Sequence, residues 1–364
     1  MSADPPESLL VASEEPPAPP TRIWIGAGLL ESAGERLVSP SGRFVLVYAP
    51  AAESAVAAVR RGLAGRVVAE VPLDDREASK RLAAVGEIAD RALAAGLRRD
   101  DAVVAVGGGV VSDVAGFAAA VLLRGVAWNV VPTTTGAMAD AAIGGKTGVD
   151  HPAGKNLIGA FHPPRAVLID PRAAAGLPDR DYRAGLVEAF KAAWIADAAL
   201  AERSATALPR LLARDEAALL DLVAGAARVK AGIVSADPRE TDSRRLLNFG
   251  HTLGHALEAA GGYRELRHGE AVAWGIAAAL ELSRARAGLA APDASAVRAV
   301  LAELGPFPPP CRDPAILAPY LSRDKKASAA GLPAVLLERI GSARVVSGVP
   351  AAAWMDAAAI MSLK

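Results

Sequence analysis

Three of the five histidines in the chain fall between positions 251 and 268. His251 and His255 are four residues apart and would share one face of a helix, and His268 follows thirteen residues later. A catalytic zinc takes about three protein ligands, usually nitrogen or carboxylate, and keeps one position open. Thr252 stands where the zinc-protease motif has glutamate, which argues against protease chemistry. The spacing favours a metal site without identifying its carboxylate, and hydrogen-bonded core histidines are the alternative.

A second concentration of polar side chains lies between positions 124 and 156. Cations, carboxylates and other polar groups are set there among small residues: Thr133, Thr134, Asp140, Lys146, Asp150, His151, Lys155 and Asn156. So dense a mixture favours a binding site over a polar surface loop. Gly144-Gly145-Lys146-Thr147 resembles the end of an NTPase phosphate loop, but that motif needs glycine where Asp140 stands. A carboxylate there would repel a phosphate, so the NTPase interpretation fails.

The segment Gly107-Gly108-Gly109 lies between a short apolar run and a helical pattern. Glycine lets backbone N–H groups approach a phosphate, and a helix N-terminus favours its negative charge. The segment lacks the Gly-x-Gly-x-x-Gly spacing, so a plain strand-to-helix turn is the alternative. Asp113, four residues after Gly109, is placed either to bind a ligand or to cap the helix.

The first half of the chain carries the elements that must position these groups. Its short apolar runs predict strands at Phe44–Tyr48, Val67–Val71, Ala102–Val106, Asn129–Val131 and Val167–Ile169. Helical patterns between them predict helices at Ala51–Leu63, Lys80–Ala95 and Val114–Leu123. Strands that alternate with helices predict an open, mostly parallel α/β sheet with crossover connections.

From Asp179 onward the sequence changes to long Ala/Leu/Glu/Arg segments, with no clear strand before Ala334–Leu337. This pattern predicts an all-α C-terminal domain after a hinge at Pro178. The length of 364 residues also favours two domains. We therefore predict a disordered, acidic, Pro-rich tail at 1–21, an α/β domain at 22–178 and a helical domain at 179–364.

Composition and charge narrow the classes of function. The chain has 40 basic and 40 acidic residues and 52% hydrophobic residues, so no bulk charge favours nucleic acid or anionic membranes. The tail lacks the basic start and apolar middle of a secretory signal. The apolar stretch Ala102–Leu123 contains Asp113 and predicts a buried strand, turn and helix rather than a membrane span. Cys311 is the single cysteine and can form no internal disulfide, which favours the reducing cytoplasm.

Several long motifs, in the same order and over about residues 22–350, resemble the 3-dehydroquinate synthase family of sugar phosphate cyclases. They are Gly107–Asp113, Pro132–Thr134, Ile143–Thr147, Gly154–Phe161, Asn248–His255, His268–Val272 and Asp324–Lys326. The resemblance implies a Rossmann-like NAD-binding domain, a helical metal- and substrate-binding domain and a homodimer.

The resemblance also implies the reaction. Members of this family are lyases that need NAD and a divalent metal, zinc or cobalt. They convert a phosphorylated sugar acid, 3-deoxy-D-arabino-heptulosonate 7-phosphate, into 3-dehydroquinate and phosphate in the shikimate pathway to aromatic amino acids. The steps are transient oxidation by NAD, elimination of phosphate, re-reduction and intramolecular aldol closure.

Matching the motifs residue by residue implies roles for side chains of both halves. The implied metal ligands are Glu188, His251 and His268. The implied NAD contacts are Glu77, Lys80, Gly108, Gly109, Asp113, Thr133, Thr134, Asp140, Lys155 and Asp181. The implied substrate contacts are Arg124, Lys146, Asn156, Lys230, Arg244, Asn248, His255, Lys325 and Lys326. The implied catalytic residues, with His255 and Lys191 as proton carriers, are Lys146, Lys191, Lys230, Glu240, Arg244, Asn248 and His255.

Three departures from the family pattern and three alternatives accompany this interpretation. The continuation of the Pro132–Thr134 motif through Met138 differs from the commoner leucine-rich one. Asp150 stands where many members have asparagine, and Tyr48-Ala49-Pro50 lacks polar side chains that often hold the adenosine ribose. Another sugar phosphate cyclase, of deoxyinosose or valiolone type, is the nearest alternative, although the Gly-Gly-Lys-Thr segment that such relatives tend to alter is kept here. A polyol dehydrogenase would not need so many phosphate-binding cations. A non-catalytic paralogue is disfavoured because Lys146 and the implied metal ligands are all present.

Overall fold

The computed structural model describes residues 19–322 and 331–363. The strands are β1 (Arg22–Ile25), β2 (Phe44–Tyr48), β3 (Val67–Pro72), β4 (Ala102–Gly107), β5 (Ala127–Pro132), β6 (Lys146–His151), β7 (Gly154–Phe161), β8 (Ala166–Ile169), β9 (Leu332–Arg339) and β10 (Ser342–Val349). The α-helices are α1 (Ala33–Arg36), α2 (Glu53–Gly62), α3 (Leu82–Ala94), α4 (Gly109–Val121), α5 (Asp179–Ala196), α6 (Ala198–Thr206), α7 (Leu208–Leu212), α8 (Glu216–Ala236), α9 (His251–Ala260), α10 (His268–Arg286), α11 (Ala291–Leu304), α12 (Pro314–Ser322) and α13 (Ala351–Ile360).

A six-stranded parallel sheet in the order β1-β8-β5-β4-β2-β3 forms the N-terminal part, as the alternating pattern predicts. The central strand β4 is buried at every residue, which explains its continuous apolar run. Because the strands are parallel, the carboxyl ends of β4 and β5 meet at one edge, where Gly107 pairs with Pro132. The glycine-rich turn and Thr133 therefore become neighbours, and Thr133 N–H donates to Gly107 O at 2.9 Å.

Three features of this part differ from the sequence prediction. Helix α4 begins at Gly109 rather than Val114, so the glycine-rich segment leads directly into its first turn. Strand β1 is unpredicted because it has only four residues and depends on its pairing with β8. Strands β6 and β7 form an unpredicted antiparallel hairpin from the polar stretch. A Cβ on Gly159 would lie 2.2 Å from Thr147 O, so this hairpin depends on close backbone approach rather than on apolar alternation.

The C-terminal part, from α5 to α13, is helix-rich as predicted, but it is not all-α because it contains the hairpin β9–β10. Strand β9 includes the predicted strand Ala334–Leu337. Tertiary contacts hold the hairpin: Leu337 N–H donates to Ser283 Oγ on α10 at 3.0 Å, and Gly341 N–H donates to Trp194 O on α5 at 2.7 Å. The domain boundary at Pro178 stays a prediction.

The apolar stretch Ala102–Leu123 forms β4, the glycine-rich turn and α4, as predicted, and continues into a short 3-10 turn. Within residues 19–322 and 331–363, none of the helices has both the length and the apolar character needed to cross a membrane. Burial of this stretch inside the protein therefore accounts for its apolar character.

Candidate metal and cofactor site

Three side chains from three helices of the helix-rich part lie close together. Glu188 lies on α5, and His251 and His268 are the first residues of α9 and α10. Glu188 Oε1 is 3.4 Å from His268 Nε2 and 3.9 Å from His251 Nε2, and the three potential ligand atoms all lie within 4.8 Å of one another. Glu188 Oε1 is buried and accepts no hydrogen bond from the residues that the structure describes. A buried carboxylate oxygen that faces two imidazoles fits a divalent metal, because a zinc site of this kind uses two histidines and one carboxylate.

A second set of potential ligands, His255, Glu258 and His268, shares one histidine with the first. Glu258 is already engaged, since its Oε1 is 3.0 Å from Lys155 Nζ and its Oε2 is 3.1 Å from His268 Nδ1. Burial alone would raise the pKa of Glu258, but His268 and Lys155 outweigh burial and hold it well below its usual range. Glu188 pairs with Lys191 through Oε2 but keeps Oε1 without a hydrogen bond from the described residues, which favours the set Glu188, His251 and His268.

The imidazole of His251 has the protonation that metal binding needs. Burial, with smaller contributions from Lys191 and the neighbouring histidines, lowers its pKa well below the usual value. Its Nδ1 lies 3.1 Å from Phe249 O, so Nδ1 carries the proton and donates, and Nε2 faces Glu188 with its lone pair. His255 lies beside the set, with ring centroids 5.2 Å from His251 and 6.0 Å from His268.

Close packing of α5 and α10 brings Glu188 and His268 together. A Cβ on Gly269 would lie 1.8 Å from Ala184 O, so only glycine allows this approach. Glu270 strengthens the same contact, because Arg180 of α5 donates to both of its carboxylate oxygens at 2.6 and 2.7 Å. Glu270 also accepts the Arg267 N–H at 2.7 Å and so caps α10. The start of α10, and with it His268, is held against α5.

Two buried lysines lie next to the metal set. Lys191 Nζ is 2.5 Å from Glu188 Oε2, and Lys230 Nζ forms an ion pair with the Asp140 carboxylate and donates to Asp140 O at 2.6 Å. Burial would raise the pKa of Asp140, but Lys230 and Lys191 outweigh burial and lower it. Burial lowers the pKa of Lys230, whereas Glu188 and Asp140 overcome burial and raise that of Lys191. These cations suit a negatively charged substrate.

A further polar group joins the two halves of the chain. Lys146 at the start of β6 pairs with Glu240, and Asn248 Nδ2 donates to the same carboxylate at 2.8 Å. Arg244 is buried, and its guanidinium donates to Gly144 O at 3.0 Å and to Pro238 O at 2.6 Å. A cavity of about 110 Å³ opens beside this group and is lined by Arg245, Asn248, His251, Thr252, His255, Pro333, Ala334, Val335 and Val345. Two of the predicted substrate residues, Asn248 and His255, thus line the same cavity as the implied metal ligand His251.

The predicted NAD contacts mostly gather at the edge where β4 and β5 end. Lys80 Nζ is 2.5 Å from Asp113 Oδ2 on α4, and Lys155 Nζ is 2.7 Å from Glu77 Oε1. Burial would lower the pKa of Lys80, but Asp113 and Glu77 raise it, so its ammonium stays charged. Through its second contact with Glu258, Lys155 links this edge to the metal set.

Comparison with known proteins adds the deciding observation. Family models described as 3-dehydroquinate synthase N-terminal and 3-dehydroquinate synthase C-terminal match residues 70–184 and 185–327. The 3-dehydroquinate synthase of Solibacter usitatus is 42% identical over 325 residues, which are 88% of this chain and 91% of that protein. The chain belongs to the 3-dehydroquinate synthase family. The family prediction is confirmed, and with it the prediction that the chain is an enzyme.

Two solved structures of related cyclases share this architecture. The 2-epi-5-epi-valiolone synthase of Streptomyces hygroscopicus, with NAD+ and Zn2+ bound, is 28% identical, covers 97% of this chain and 99% of its own, and has a TM-score of 0.83. A 2-deoxy-scyllo-inosose synthase with carbaglucose-6-phosphate, NAD+ and Co2+ is 26% identical, with coverage of 93% and 95% and a TM-score of 0.81. The predictions of this two-part fold and of NAD with a divalent metal are confirmed.

Some residues implied by the 3-dehydroquinate synthase resemblance lie apart from the site. Arg124 is exposed in the turn after α4, at the opposite end of that helix from Gly109. Asp181 pairs with Arg267 at 2.7 Å beside α10 rather than at the glycine-rich turn. Asn156, on β7, donates its backbone N–H to Asp150 Oδ1 at 2.9 Å. Their roles stay predictions, and Lys325 and Lys326 lie outside the described residues.

Asp75 and Glu258 are two residues of the site that the sequence analysis missed. Asp75 Oδ2 accepts the Gly108 N–H at 2.7 Å and Oδ1 accepts the Val111 N–H at 3.3 Å, so its carboxylate lies at the N-terminus of α4. In the sequence, Asp75 lies just before the predicted NAD contacts Glu77 and Lys80, and this position could have indicated it. Glu258 follows His251 by seven residues and His255 by three, so all three share a helix face.

We expect Asp75 to make stability depend on pH. Burial raises its pKa from an ordinary value of 3.8 to about 6. The pKa of Asp75 in the folded protein therefore exceeds its pKa in the unfolded chain. Its contribution to the free energy of unfolding is fully present below pH 3.8 and is lost as pH rises through about 6. Relative to Asp75→Asn, the free energy of unfolding of the unaltered protein should fall by up to roughly 3 kcal/mol between about pH 4 and 7.

Urea titrations of the NAD-free proteins at several pH values measure this difference. Asp74→Asn is the matched control, because its carboxylate is 46% exposed and pairs with Arg76 on the surface. A stability difference between the unaltered protein and Asp75→Asn that does not change with pH would contradict the expectation.

Proposed function

We propose that this chain catalyses the 3-dehydroquinate synthase reaction, in which 3-deoxy-D-arabino-heptulosonate 7-phosphate gives 3-dehydroquinate and phosphate. The observation that carries the proposal is the unpartnered, buried Glu188 oxygen facing two histidines beside two buried lysines. A metal set surrounded by cations suits a phosphorylated substrate with hydroxyl groups. Membership of the family supports this substrate, because the Solibacter usitatus synthase is 42% identical, against 28% for the valiolone-type relative.

Glu188, His251 and His268 would hold the divalent metal, zinc or cobalt, which when bound supplies a Lewis acid that polarises a substrate oxygen. NAD, which when bound takes up and returns a hydride, would lie along Lys80, Asp113 and the glycine-rich turn. These two cofactor positions are supported by the ligand-atom distances within the metal set and by the Lys80–Asp113 pair.

The side chains around the set would bind phosphate and move protons. Lys230, Lys146 and Arg244 supply positive charge from α8, β6 and the segment before α9, so the phosphate would be bound from several sides. Lys191 carries a proton at Nζ beside Glu188, and the His255 imidazole lies next to both ligand histidines, so each is suited to carry a proton near the reacting atoms. Glu240 and Asn248 orient Lys146 through the contacts already described.

We propose further that the chain works as a homodimer in the cytoplasm and folds as two domains that divide near Pro178. Val121 on α4 and Phe161 on β7 are 49% and 50% exposed, and these two elements contact each other, so the side chains would suit a partner subunit. Light scattering coupled to size-exclusion chromatography measures the subunit count, and a monomer at working concentration would reject the dimer.

The function itself is tested by phosphate release. Because the hydride must return before product leaves, phosphate should be released from the heptulosonate phosphate over many turnovers for each NAD supplied, without accumulation of NADH. Chelation of the metal should stop the release, and added zinc or cobalt should restore it.

Two other sugar phosphates serve as comparison substrates in the same assay. Glucose 6-phosphate and sedoheptulose 7-phosphate test the deoxyinosose- and valiolone-type activities of the related cyclases. Faster phosphate release from either one would replace the proposed substrate. NADH produced in proportion to substrate consumed would indicate a simple dehydrogenase instead.

A further inference from the structure

A continuous line of charged contacts runs from the metal set to the nucleotide side of the protein. His268 Nδ1 is 3.1 Å from Glu258 Oε2, and Glu258 Oε1 is 3.0 Å from Lys155 Nζ. Lys155 Nζ is in turn 2.7 Å from Glu77 Oε1. The line crosses from α10 to α9, then to β7, and ends in the turn before α3. It therefore joins elements that are far apart in the chain.

The Glu258 carboxylate is built into this line rather than placed at the surface. The Glu258 side chain is 3% exposed and that of Lys155 is 18% exposed. Each of the two Glu258 oxygens has one described partner. A buried carboxylate without partners would be costly, so Glu258, Lys155 and His268 hold one another in place. Lys155 also lies over the ring of Tyr263, with its Nζ 5.0 Å from the centroid, which further restricts the ammonium.

We propose that Glu258 is a positioning residue for the metal site and that Lys155 holds Glu258 in position. The carboxylate accepts the Nδ1 proton of His268, so the imidazole presents the lone pair of Nε2 towards Glu188 Oε1, which lies 3.4 Å away. Metal-binding histidines commonly donate their second ring N–H to a carboxylate, which fixes the tautomer and the ring orientation. The inference rests on the proposed metal set Glu188, His251 and His268.

The same residues allow a different arrangement, in which Glu258 itself binds the metal together with His255 and His268. The two arrangements predict losses of metal affinity of different size when Glu258 is replaced. Loss of a residue that orients a ligand costs about 10- to 100-fold in metal affinity. Loss of a metal ligand lowers metal affinity by a larger factor and changes the coordination of the ion. Metal affinity and the absorption spectrum of bound cobalt therefore separate them.

The test uses the full chain, stripped of metal and titrated with zinc or cobalt against a chromophoric chelator, without NAD or substrate. Glu258→Gln keeps an oxygen that can accept the His268 proton, whereas Glu258→Ala removes it. We expect Glu258→Ala to weaken metal affinity by about 10- to 100-fold, Glu258→Gln to weaken it less, and both to keep the cobalt spectrum of the unaltered protein. Affinities equal to that of the unaltered protein in both variants would overturn the proposal. An altered spectrum with a loss as large as that of His268→Ala would also overturn it, in favour of Glu258 as a ligand.

Glu281→Gln is the matched control on the same helix as His268. Glu281 also forms an ion pair, with Arg298, but lies thirteen residues further along α10. Its variant should lose some stability and keep the metal affinity of the unaltered protein. If Glu281→Gln lowers metal affinity as much as Glu258→Ala, the effect is one of general stability and the proposal is rejected.

Lys155 is tested by non-additivity. Lys155→Met should weaken metal affinity by a smaller factor than Glu258→Ala, because it acts only through the carboxylate. The double variant should then bind metal no more weakly than Glu258→Ala alone. If the two factors by which metal affinity falls multiply in the double variant, Lys155 does not act through Glu258 and its proposed role is rejected.

A measurement on the unaltered, zinc-loaded protein does not depend on whether any Glu258 variant folds. Nitrogen-15 spectra of histidine-labelled protein report which ring nitrogen carries the proton, and loss of a signal in His268→Gln assigns it. Protonated Nδ1, protected from exchange with water, is the expected result, and protonated Nε2 would overturn the proposal. If the unaltered protein binds no metal, the proposed function fails together with this inference; normal metal binding with unaffected Glu258 variants rejects the inference alone.

Discussion

His268→Ala should abolish metal binding and phosphate release while the protein stays folded. The residue begins α10, and its Nε2 is one of three potential ligand atoms that meet within 4.8 Å. Its removal leaves a two-ligand set, so metal affinity should fall by more than the roughly 100-fold expected for a residue that only orients a ligand. The side chain is 43% exposed, so its loss leaves little buried volume empty. Metal content after dialysis, phosphate release and circular dichroism measure the three parts of this expectation.

The matched control removes a histidine outside the metal set. His162→Ala deletes a ring that contacts Val126 O at 2.9 Å, on the sheet side of the molecule, and should keep one metal per chain. A folded His268→Ala protein with normal metal content would reject Glu188, His251 and His268 as the ligands. Loss of metal in both variants would point to unfolding rather than to ligation.

Lys230→Met should cause a large loss of stability, measured as a lower free energy of unfolding. The lysine is 8% exposed, and it contacts both the carboxylate and the backbone carbonyl of Asp140. Methionine keeps the length of the side chain but leaves the Asp140 carboxylate without this partner. Breaking a buried ion pair costs about 3–5 kcal/mol, and since Asp140 is 26% exposed we expect the lower end, about 3 kcal/mol. Denaturant unfolding of the unliganded protein measures the change.

Two further variants decide whether the ion pair causes this loss. Arg203→Met removes the guanidinium of an exposed pair with Asp221, 2.9 Å apart, and should cost less than about 1 kcal/mol. In Lys230→Met combined with Asp140→Leu, both charges are gone, and part of the lost stability should return. A double variant less stable than the sum of the two single changes would contradict a paired-charge explanation.

Local sequence patterns already specify much of the N-terminal part. A continuous apolar run such as Ala102–Val106 is typical of a strand buried on both faces, and β4 is that strand. The helix and strand alternation predicts the parallel sheet, and the ordered motifs predict the family and its cofactors. These features depend on residues that are neighbours in the chain, or on motifs whose members lie close together.

Three features of the fold are not shown by the local sequence patterns. The hairpin β6–β7 is built from a glycine-rich polar stretch, and β10 pairs with β9 while contacts to α5 and α10 hold the hairpin. Helix α4 starts earlier than predicted, where a carboxylate from Asp75, 33 residues earlier, accepts the Gly108 N–H. For α4 and for the β9–β10 hairpin the stabilising partner lies far away in sequence, so the local pattern lacks the information. Strands β6 and β7 are neighbours in the chain, but they pair through close backbone approach at Gly159 and show no apolar alternation.

The sequence by itself determined which residue types are present for metal, phosphate and nucleotide chemistry. The histidine spacing indicated a metal site, and only the family resemblance implied Glu188 as its carboxylate. Only the tertiary structure shows how the two carboxylates beside these histidines differ in their contacts. Glu188 and Glu258 are both buried next to the histidines, but Glu258 is engaged by Lys155 and His268, while Glu188 Oε1 faces two imidazoles with no described hydrogen bond. Gly269 lets α10 approach the backbone of α5, and this close approach brings His268 Nε2 within 3.4 Å of Glu188 Oε1, a contact between helices that local sequence patterns do not show.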